Sequence, residues 1–367
     1  MQYREFGNSG IRLSALGFGA MRLPEDEDYA VEVIRRSFEL GVNYLDTARV
    51  YGESERICGR ALKGWRDRVY LSTKNPLFDM TVDGWWERLY TSLKTLDTDY
   101  IDLYHVVHDM NCERFETFLV KGGGLEQVRK AKEQGLIKHV CFSTHETPEK
   151  VREFIDTGEF EGITIQYNLL DRKHEDTIAY AHERGLGVIV MGPVGGGRLA
   201  APSEQIRRLI PTEVKSSAEA ALRFVLANPN VTCAISGMNT LDMVEENCRV
   251  GDRSEPLSAE EQRAVSDALA EVQRLSDLYC TGCKYCMPCP NDVNVAENFR
   301  AMNLHRLYGI TEYARRIYNA MSNPERPKRG KRASECIECG ECEPKCPQRI
   351  PIVKQLKEVA ETFGAPE

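Results

Sequence analysis

The sequence has no long hydrophobic run: nowhere do apolar residues approach the roughly 20 in succession that a membrane-spanning helix needs. Its first ten residues, MQYREFGNSG, are polar and mixed in charge, with none of the apolar stretch of an export signal. Both absences lead to the expectation of a soluble, cytoplasmic protein. An excess of positive charge is missing too. With 48 Lys and Arg against 56 Asp and Glu the net charge is −8, and no nucleic-acid partner is expected. There is no compositional bias of the disordered kind: 42% of residues are hydrophobic, 28% charged and 8% aromatic, which suits a packed globular chain. No GxGxxG follows the first strand, and no internal repeat exists beyond two cysteine motifs.

What is present is length and order. The 367 residues suit one large domain with an appendage. Over the first 250 residues short apolar or β-branched runs alternate with longer helix-period segments. The expected strands are Ala15–Phe18, Tyr44–Asp46, Val69–Thr73, Ile101–Val107, His139–Phe142, Ile163–Gln166, Gly187–Met191 and Thr232–Ile235. Expected helices include Tyr29–Leu40, Glu53–Leu62, Gly84–Leu96, Leu125–Gln134, Thr147–Ile155, Asp176–Arg184, Ser216–Ala227 and Thr240–Asn247. Eight strand–helix units in a row imply an α/β chain whose parallel strands close into a (β/α)₈ TIM barrel, with an open doubly wound sheet as the alternative. A charged, Gly- and Pro-containing stretch, Gly251–Ser258, ends the barrel, giving expected domains of 1–255 and 256–367. Ser258-Ala-Glu-Glu reads as a helix start running to about Asp277, and Val295–Met321 as a further helical stretch.

The thirteen cysteines divide unevenly. Cys58, Cys112, Cys141, Cys233 and Cys248 are scattered and read as small buried hydrophobes. The remaining eight form two runs. Cys336, Cys339, Cys342 and Cys346, followed by Pro347, have the spacing of bacterial ferredoxins; Cys280, Cys283, Cys286 and Cys289, followed by Pro290, are one residue shorter before the last cysteine. Such runs hold [4Fe-4S] clusters, with the fourth cysteine of each run serving the other cluster. One set is then Cys280, Cys283, Cys286 and Cys346, the other Cys336, Cys339, Cys342 and Cys289. Paired zinc sites are the alternative, and they leave four cysteines per run ending in Pro unexplained. The expected second domain is therefore a mainly α-helical, ferredoxin-like iron–sulfur module carrying two clusters.

Catalytic groups of such barrels stand at the C-terminal ends of the strands. Asp46 and Tyr51 follow the second strand, Lys74 ends the third, and His105 and His108 lie at the fourth. A Lys held by an Asp against a Tyr favours the phenolate and lowers the phenol's pKa toward working pH, an arrangement suited to donating a proton to a carbonyl as hydride arrives.

Here the chain resembles the aldo-keto reductase superfamily. The matching segments are Gly41-Val-Asn-Tyr-Leu-Asp46-Thr-Ala-x-x-Tyr51-Gly, Thr73-Lys74, Asp102-Leu-Tyr, Gln166-Tyr-Asn168, Gly192-Pro-Val-Gly-Gly-Gly-Arg-Leu199 and Glu246-Asn247. Phe142-Ser-Thr-His145 and the first cysteine run make it similar to the subgroup with a ferredoxin-type tail. The resemblance implies NAD(H) or NADP(H) and reversible reduction of a small carbonyl compound. It makes Tyr51 the general acid, tuned by Lys74 and Asp46, with a His orienting the carbonyl. The family places that His five residues after the Asp of Asp-Leu-Tyr, which here is Val107. His105 has the inward parity but sits roughly 6–7 Å deeper, while His108 lies at the strand end and fits if one residue is bulged. His108 is preferred and His105 stays open.

The resemblance also puts Ser143, Gln166 and Asn168 at the nicotinamide. It puts Gly192, Val194, Gly195, Gly196, Gly197 and Arg198 in the pyrophosphate loop, and Glu246 and Asn247 at the adenine. Gly237 and Met243 replace the family's Lys and Arg grip on a 2′-phosphate, and Arg249 alone is a poor substitute, so NADH is favoured. Substrate contacts are expected from Arg22, Tyr51, Trp85 or Trp86, Phe115, Phe118 and the loop from Arg198 to Pro211.

The clusters carry single electrons, so a ferredoxin-like electron carrier is an expected partner, and a flavin a possible converter, although no flavin motif is evident. The basic run Lys328–Arg332 reads as a solvated linker or a docking site for an acidic carrier. An electron-transfer or redox-sensing protein without carbonyl chemistry is the alternative function.

Overall fold

The computed structural model describes residues 1–200, 203–209, 214–252, 258, 260–261, 263–268, 270, 286–325, 329–346 and 350–364. They divide into two compact units, Met1–Gly196 with Ala221–Leu257, and Gly197–Ala220 with Ser258–Glu367. The segment 197–220 therefore groups with the C-terminal residues, a division the linear pattern did not suggest.

In the first unit a hairpin of β1 (Tyr3–Glu5) and β2 (Arg12–Ser14) precedes the barrel strands. These are β3 (Leu16–Gly19), β4 (Tyr44–Asp46), β5 (Tyr70–Lys74), β6 (Ile101–His105), β7 (Ile137–Thr144), β8 (Gly162–Gln166), β9 (Gly187–Met191) and β10 (Cys233–Ser236). They pair in chain order, all parallel, and β10 returns to β3 to close the barrel. The open-sheet alternative is excluded. All eight strand expectations coincide with barrel strands to within two or three residues at each end. The hairpin was not among the expected strands. It covers one end of the barrel: Phe6 and Leu13 join Tyr44, Leu103, Cys141, Ile189 and Cys233 in a buried cluster. Phe6 needs a bare backbone beside it, since a Cβ on Gly187 would lie 2.0 Å from its ring. Arg4 fastens the same end, donating to the carbonyls of Val231 (2.7 Å) and Leu226 (2.6 Å).

Two of the barrel helices begin where the sequence supplies a side-chain cap. Asp26 accepts from Tyr29 N and Thr81 from Gly84 N, fixing the starts of helices Glu27–Glu39 and Val82–Leu96. No helix among the described residues is long and apolar enough to cross a membrane.

In the second unit Ser258 and Glu261 cap reciprocally, Ser258 N donating to Glu261 Oε2 (2.8 Å) and Glu261 N to Ser258 Oγ (3.2 Å). Most of the helix expected to follow, to Asp277, lies outside the described residues. The stretch expected to be helical over Val295–Met321 is two helices, Val295–Tyr308 and Thr311–Ala320, because Gly309 takes a left-handed conformation that ends the first. A last helix, Ile352–Phe363, packs its buried Leu356, Val359 and Phe363 inward, with Phe363 against Tyr318.

Candidate active site and cysteine clusters

The C-terminal ends of β4 and β5 bring an ion pair into the barrel. Asp46 and Ser72 are ladder partners, and Lys74 follows two residues on, so all three point inward. Lys74 Nζ donates to both carboxylate oxygens of Asp46 (2.6 and 2.8 Å) and to Thr47 O (2.7 Å). Both side chains are about 3% exposed. A buried ammonium survives only when so held, with three acceptors for its three protons.

Tyr51 is set above this pair by a turn in which its N–H donates to Ala48 O (3.0 Å) and its carbonyl accepts from Ser54 N (3.1 Å). Lys74 Nζ lies 5.3 Å from the centre of the Tyr51 ring. Burial raises the phenol's pKa above its ordinary value, and the Asp46 charge adds to that; Lys74 opposes both. The lowering expected from Lys74 is present but outweighed, so Tyr51 is held protonated, the form a proton donor requires.

The two candidate histidines part company. His108 meets Tyr51 edge to face, ring centres 6.0 Å apart. Burial and the nearby Lys74 depress it to about 4, leaving a neutral imidazole. The chain reaches this placement by leaving the β6 register. Val106 and Val107 are both buried, His108 N donates to Asn75 O (2.6 Å), and Asp109 turns left-handed with φ 54°. Arg114 secures the turn by donating to the carbonyls of His108 (2.6 Å) and Asp109 (2.8 Å). His105 lies one layer deeper, fully buried within the barrel, between Ser72 and Thr164. Val107, where the family's spacing would put its His, is a core residue.

Ser143, at the end of β7, accepts from Asp109 N through Oγ (3.1 Å) and from Met110 N through its carbonyl (2.7 Å), while its hydroxyl proton remains to be donated. Gln166 ends β8 beside Gly192. Asn168 is buried and committed to backbone: Nδ2 donates to Gly192 O (2.9 Å) and Oδ1 accepts from Leu170 N (2.9 Å). It shapes the Gly192–Val194 turn rather than facing it. Gly195 and Gly196 have φ of 59° and 67°, so their amides are turned as only glycine readily allows, and Arg22 Nη1 donates to Gly196 O (2.8 Å). Gly197, with φ 90°, and Arg198 fall in the second unit. Glu246 is half-buried, and the buried Asn247 donates through Nδ2 to Ser236 Oγ (3.2 Å), tying its helix to the end of β10. Gly195 N donates to Gly192 O (2.8 Å), closing a turn whose side-chain-free, positive-φ glycines let a dinucleotide's pyrophosphate approach the backbone.

Of the expected substrate contacts, Trp85 and Phe118 are core residues, Trp85 Nε1 donating to Val106 O (2.9 Å), and Phe115 packs on Phe154. The exposed apolar side chains on this face are instead Met21, Val50 and Phe78, the last 74% exposed. Sequence reading missed them, and missed Ser72, Asn75 and Thr164. For Ser72 and Thr164 a signal existed, since each stands two residues before an inward-facing site residue.

Cys280 and Cys283 lie outside the described residues. The other six cluster candidates are in the second unit and none is in a disulfide; Cys339 is exposed, and Cys286, Cys289, Cys336, Cys342 and Cys346 are half-buried. The second run folds as a loop with left-handed Glu338 (φ 57°) and Gly340 (φ 73°), and Glu338 N donates to Cys336 Sγ (3.4 Å). The thiol of Cys342 is pushed up to about 11 by burial, with Cys286 and Cys336 adding to the effect, so thiols of both runs share one neighbourhood. Unbridged, closely spaced thiols with a backbone donor on one sulfur are the donor chemistry an iron–sulfur cluster takes, although among the described residues no three possible ligands converge as a finished metal site. Cys58, Cys141, Cys233 and Cys248 are buried, and Cys112 half-buried.

Comparison with known proteins agrees with this architecture. Residues 15–270 match the aldo/keto reductase family, and residues 279–350 a 4Fe-4S dicluster domain. The chain belongs to the aldo/keto reductase family, and is an oxidoreductase with a 4Fe-4S domain at its C-terminal side. It is 28% identical over 304 residues to an uncharacterized oxidoreductase, YqkF, of Bacillus subtilis, covering 72% of this chain and 95% of that protein. It is 26% identical over 311 residues to L-galactose dehydrogenase of Arabidopsis thaliana, covering 76% and 96%. The holo structure of aldo-keto reductase AKR11C1 from Bacillus halodurans superimposes with a TM-score of 0.66 at 30% identity, covering 73% of this chain and 96% of that one.

Proposed function

We propose that the barrel interconverts a small carbonyl compound and its alcohol with a nicotinamide nucleotide, Tyr51 serving as general acid and base. The observation that carries this reading is the Tyr51 phenol over a buried ammonium that a carboxylate grips at 2.6 and 2.8 Å, with a neutral His108 ring edge-on to it. When bound, the nicotinamide supplies or accepts the hydride. Tyr51 gives its Oη proton to the carbonyl oxygen. The Lys74 ammonium stabilises the phenolate left behind, and Asp46 holds Lys74 in place. The uncharged His108 directs a ring N–H at the carbonyl oxygen, orienting it without competing for the proton. Ser143 and Gln166 would meet the nicotinamide, and the Gly192–Gly196 turn the pyrophosphate.

NADH is the proposed nucleotide. Gly237 and Met243 bring no cation, and Arg249 donates through Nε to Glu245 O (3.0 Å) within its own helix. For the second domain we propose two clusters, held by Cys280, Cys283, Cys286 and Cys346 and by Cys336, Cys339, Cys342 and Cys289. They would supply one-electron exchange with a ferredoxin-like carrier.

The test is single-turnover hydride transfer under anaerobic conditions, from 4-deuterated NADH and NADPH to a panel of aldehydes and ketones. Tyr51→Phe should slow the transfer by at least about 10³-fold while leaving nucleotide affinity unchanged. Transfer as fast in the variant as in the parent excludes the Tyr51 mechanism. Anaerobic analysis should give about eight iron and eight sulfide per chain; zinc in their place excludes the clusters.

A further inference from the structure

His105 is the last paired residue of β6, opposite Lys74 on one side and Cys141 on the other. Its fully buried ring spans the barrel interior from β5 to β8, with Nδ1 3.2 Å from Ser72 Oγ and Nε2 2.7 Å from Thr164 Oγ1. Ser72 Oγ also lies 3.2 Å from Asp46 Oδ2. A hydroxyl has one proton to give, and an ionised carboxylate only accepts. Ser72 therefore donates to Asp46 and turns a lone pair to His105, so Nδ1 carries the proton. Burial and the Lys74 charge keep the ring neutral. Nε2 is then bare and accepts from Thr164. Counting protons fixes the tautomer and the direction of three successive bonds, Thr164 to His105 to Ser72 to Asp46, all ending on the carboxylate that grips Lys74.

We propose that His105 is a positioning residue for the Tyr51 reaction: as the Nδ1–H tautomer it orients Ser72 onto Asp46 and so holds the Asp46–Lys74 pair beneath the phenol. The proposal rests on the carbonyl-reductase reading above. The imidazole is wholly buried, and although it also meets the Thr73 backbone, its link to Asp46 passes through the Ser72 hydroxyl. Aligned hydrogen bonds polarise and strengthen one another. Without the His105 donor, Ser72 is free to rotate, and the Asp46 charge is less dispersed and more strongly felt at Tyr51. The ionisable groups around the ring are Asp46 and Tyr44 on β4, Lys74 on β5, Cys141 on β7 and His108 past the end of β6. Thr164 closes the far side.

The experiment compares the holoprotein with H105L, H105N, S72A and S72A/H105L in anaerobic single-turnover hydride transfer across pH. H105L removes the donor at similar volume, whereas the amide nitrogen of H105N can replace Nδ1. Expected is a roughly three- to tenfold slower transfer in H105L and S72A, with the alkaline limb of the pH profile moved upward by about half a unit. H105N recovers most of the loss, and the double variant is no slower than either single one. Additive losses, an unmoved profile in H105L, or no recovery in H105N overturn the proposal. Nitrogen-15 spectra of histidine-labelled holoprotein provide a readout independent of turnover: one neutral ring with its proton on Nδ1, absent from H105L. A proton on Nε2 of that ring overturns the proposal even if H105L is slow. If Tyr51→Phe proves no slower than the parent, the carbonyl-reductase reading fails and the role of His105 in it falls too. The nitrogen spectrum then still shows whether the bond direction is right.

Discussion

The Lys74–Asp46 pair offers a sharp test because both charges are almost wholly buried, at about 3% exposure each. At an effective dielectric of about 20 two unit charges some 3–4 Å apart attract by about 4–5 kcal/mol. Breaking such a pair from one side leaves the other charge stranded, a loss of about 3–5 kcal/mol. In Asp46→Asn the ammonium keeps Thr47 O and an amide oxygen but loses its counter-charge. In Lys74→Met the carboxylate keeps only Ser72. For a domain of barrel size a kcal/mol is worth about 2–4 °C, so each single variant should melt roughly 6–20 °C lower. Removing both charges together, Asp46→Asn with Lys74→Met, should return to within about 2 kcal/mol of the parent, because no buried charge is left unpaired. The assay is the apparent midpoint of far-ultraviolet circular dichroism melts at one scan rate in anaerobic buffer. Single variants within about 1 kcal/mol of the parent, or a double variant that loses the sum of both, would refute the claim that the pair is dry and mutually dependent.

Three further outcomes follow from the geometry. The proposed mechanism needs Tyr51 protonated and His108 neutral. Because Tyr51 lies above the ordinary phenol value of about 10 and His108 at about 4, the hydride step should be level from about pH 5 to pH 9; a break near pH 6–7 contradicts this. The same depression makes His108 a source of acid lability. Its contribution to stability is complete above the unfolded value of about 6.5 and is lost as pH falls toward about 4, so melts of His108→Gln should lose less of their midpoint over that interval than the parent. Gly187→Ala should destabilise the barrel by about 1–3 kcal/mol in chemical denaturation, since its Cβ would lie 2.0 Å from the Phe6 ring; Phe6→Leu in the same chain should restore part of that loss.

The barrel was legible because parallel strands covered on both faces stand out as apolar runs between amphipathic helices; Gly187–Met191 is such a run. Asp46, Tyr51 and Lys74 were legible for the same reason, each sitting at or just beyond a strand end that the periodicity marks. What linear reading could not resolve is contact between distant strands. Ser72, His105 and Thr164 are joined by bonds across 33 and 59 residues of sequence, and no local pattern records that. The choice between His105 and His108 stayed open for a related reason. It turns on a left-handed Asp109 and on Arg114 clasping two carbonyls, which alter the spacing without altering the hydrophobic pattern. The break in the helical stretch 295–321 could have been read from Gly309, a residue that commonly ends helices.

The seam between β3 and β10 has a consequence for biosynthesis. A ring of strands cannot shut until its final member has been made, and here that member ends at Ser236. Until then the edges of Leu16–Gly19 and Gly187–Met191 present unpaired amides and carbonyls, the condition that invites association with neighbouring chains. More than a hundred residues, all eight closely spaced cysteines among them, leave the ribosome only afterwards. Translation order thus lets the barrel complete its ring before the first of those thiols emerges.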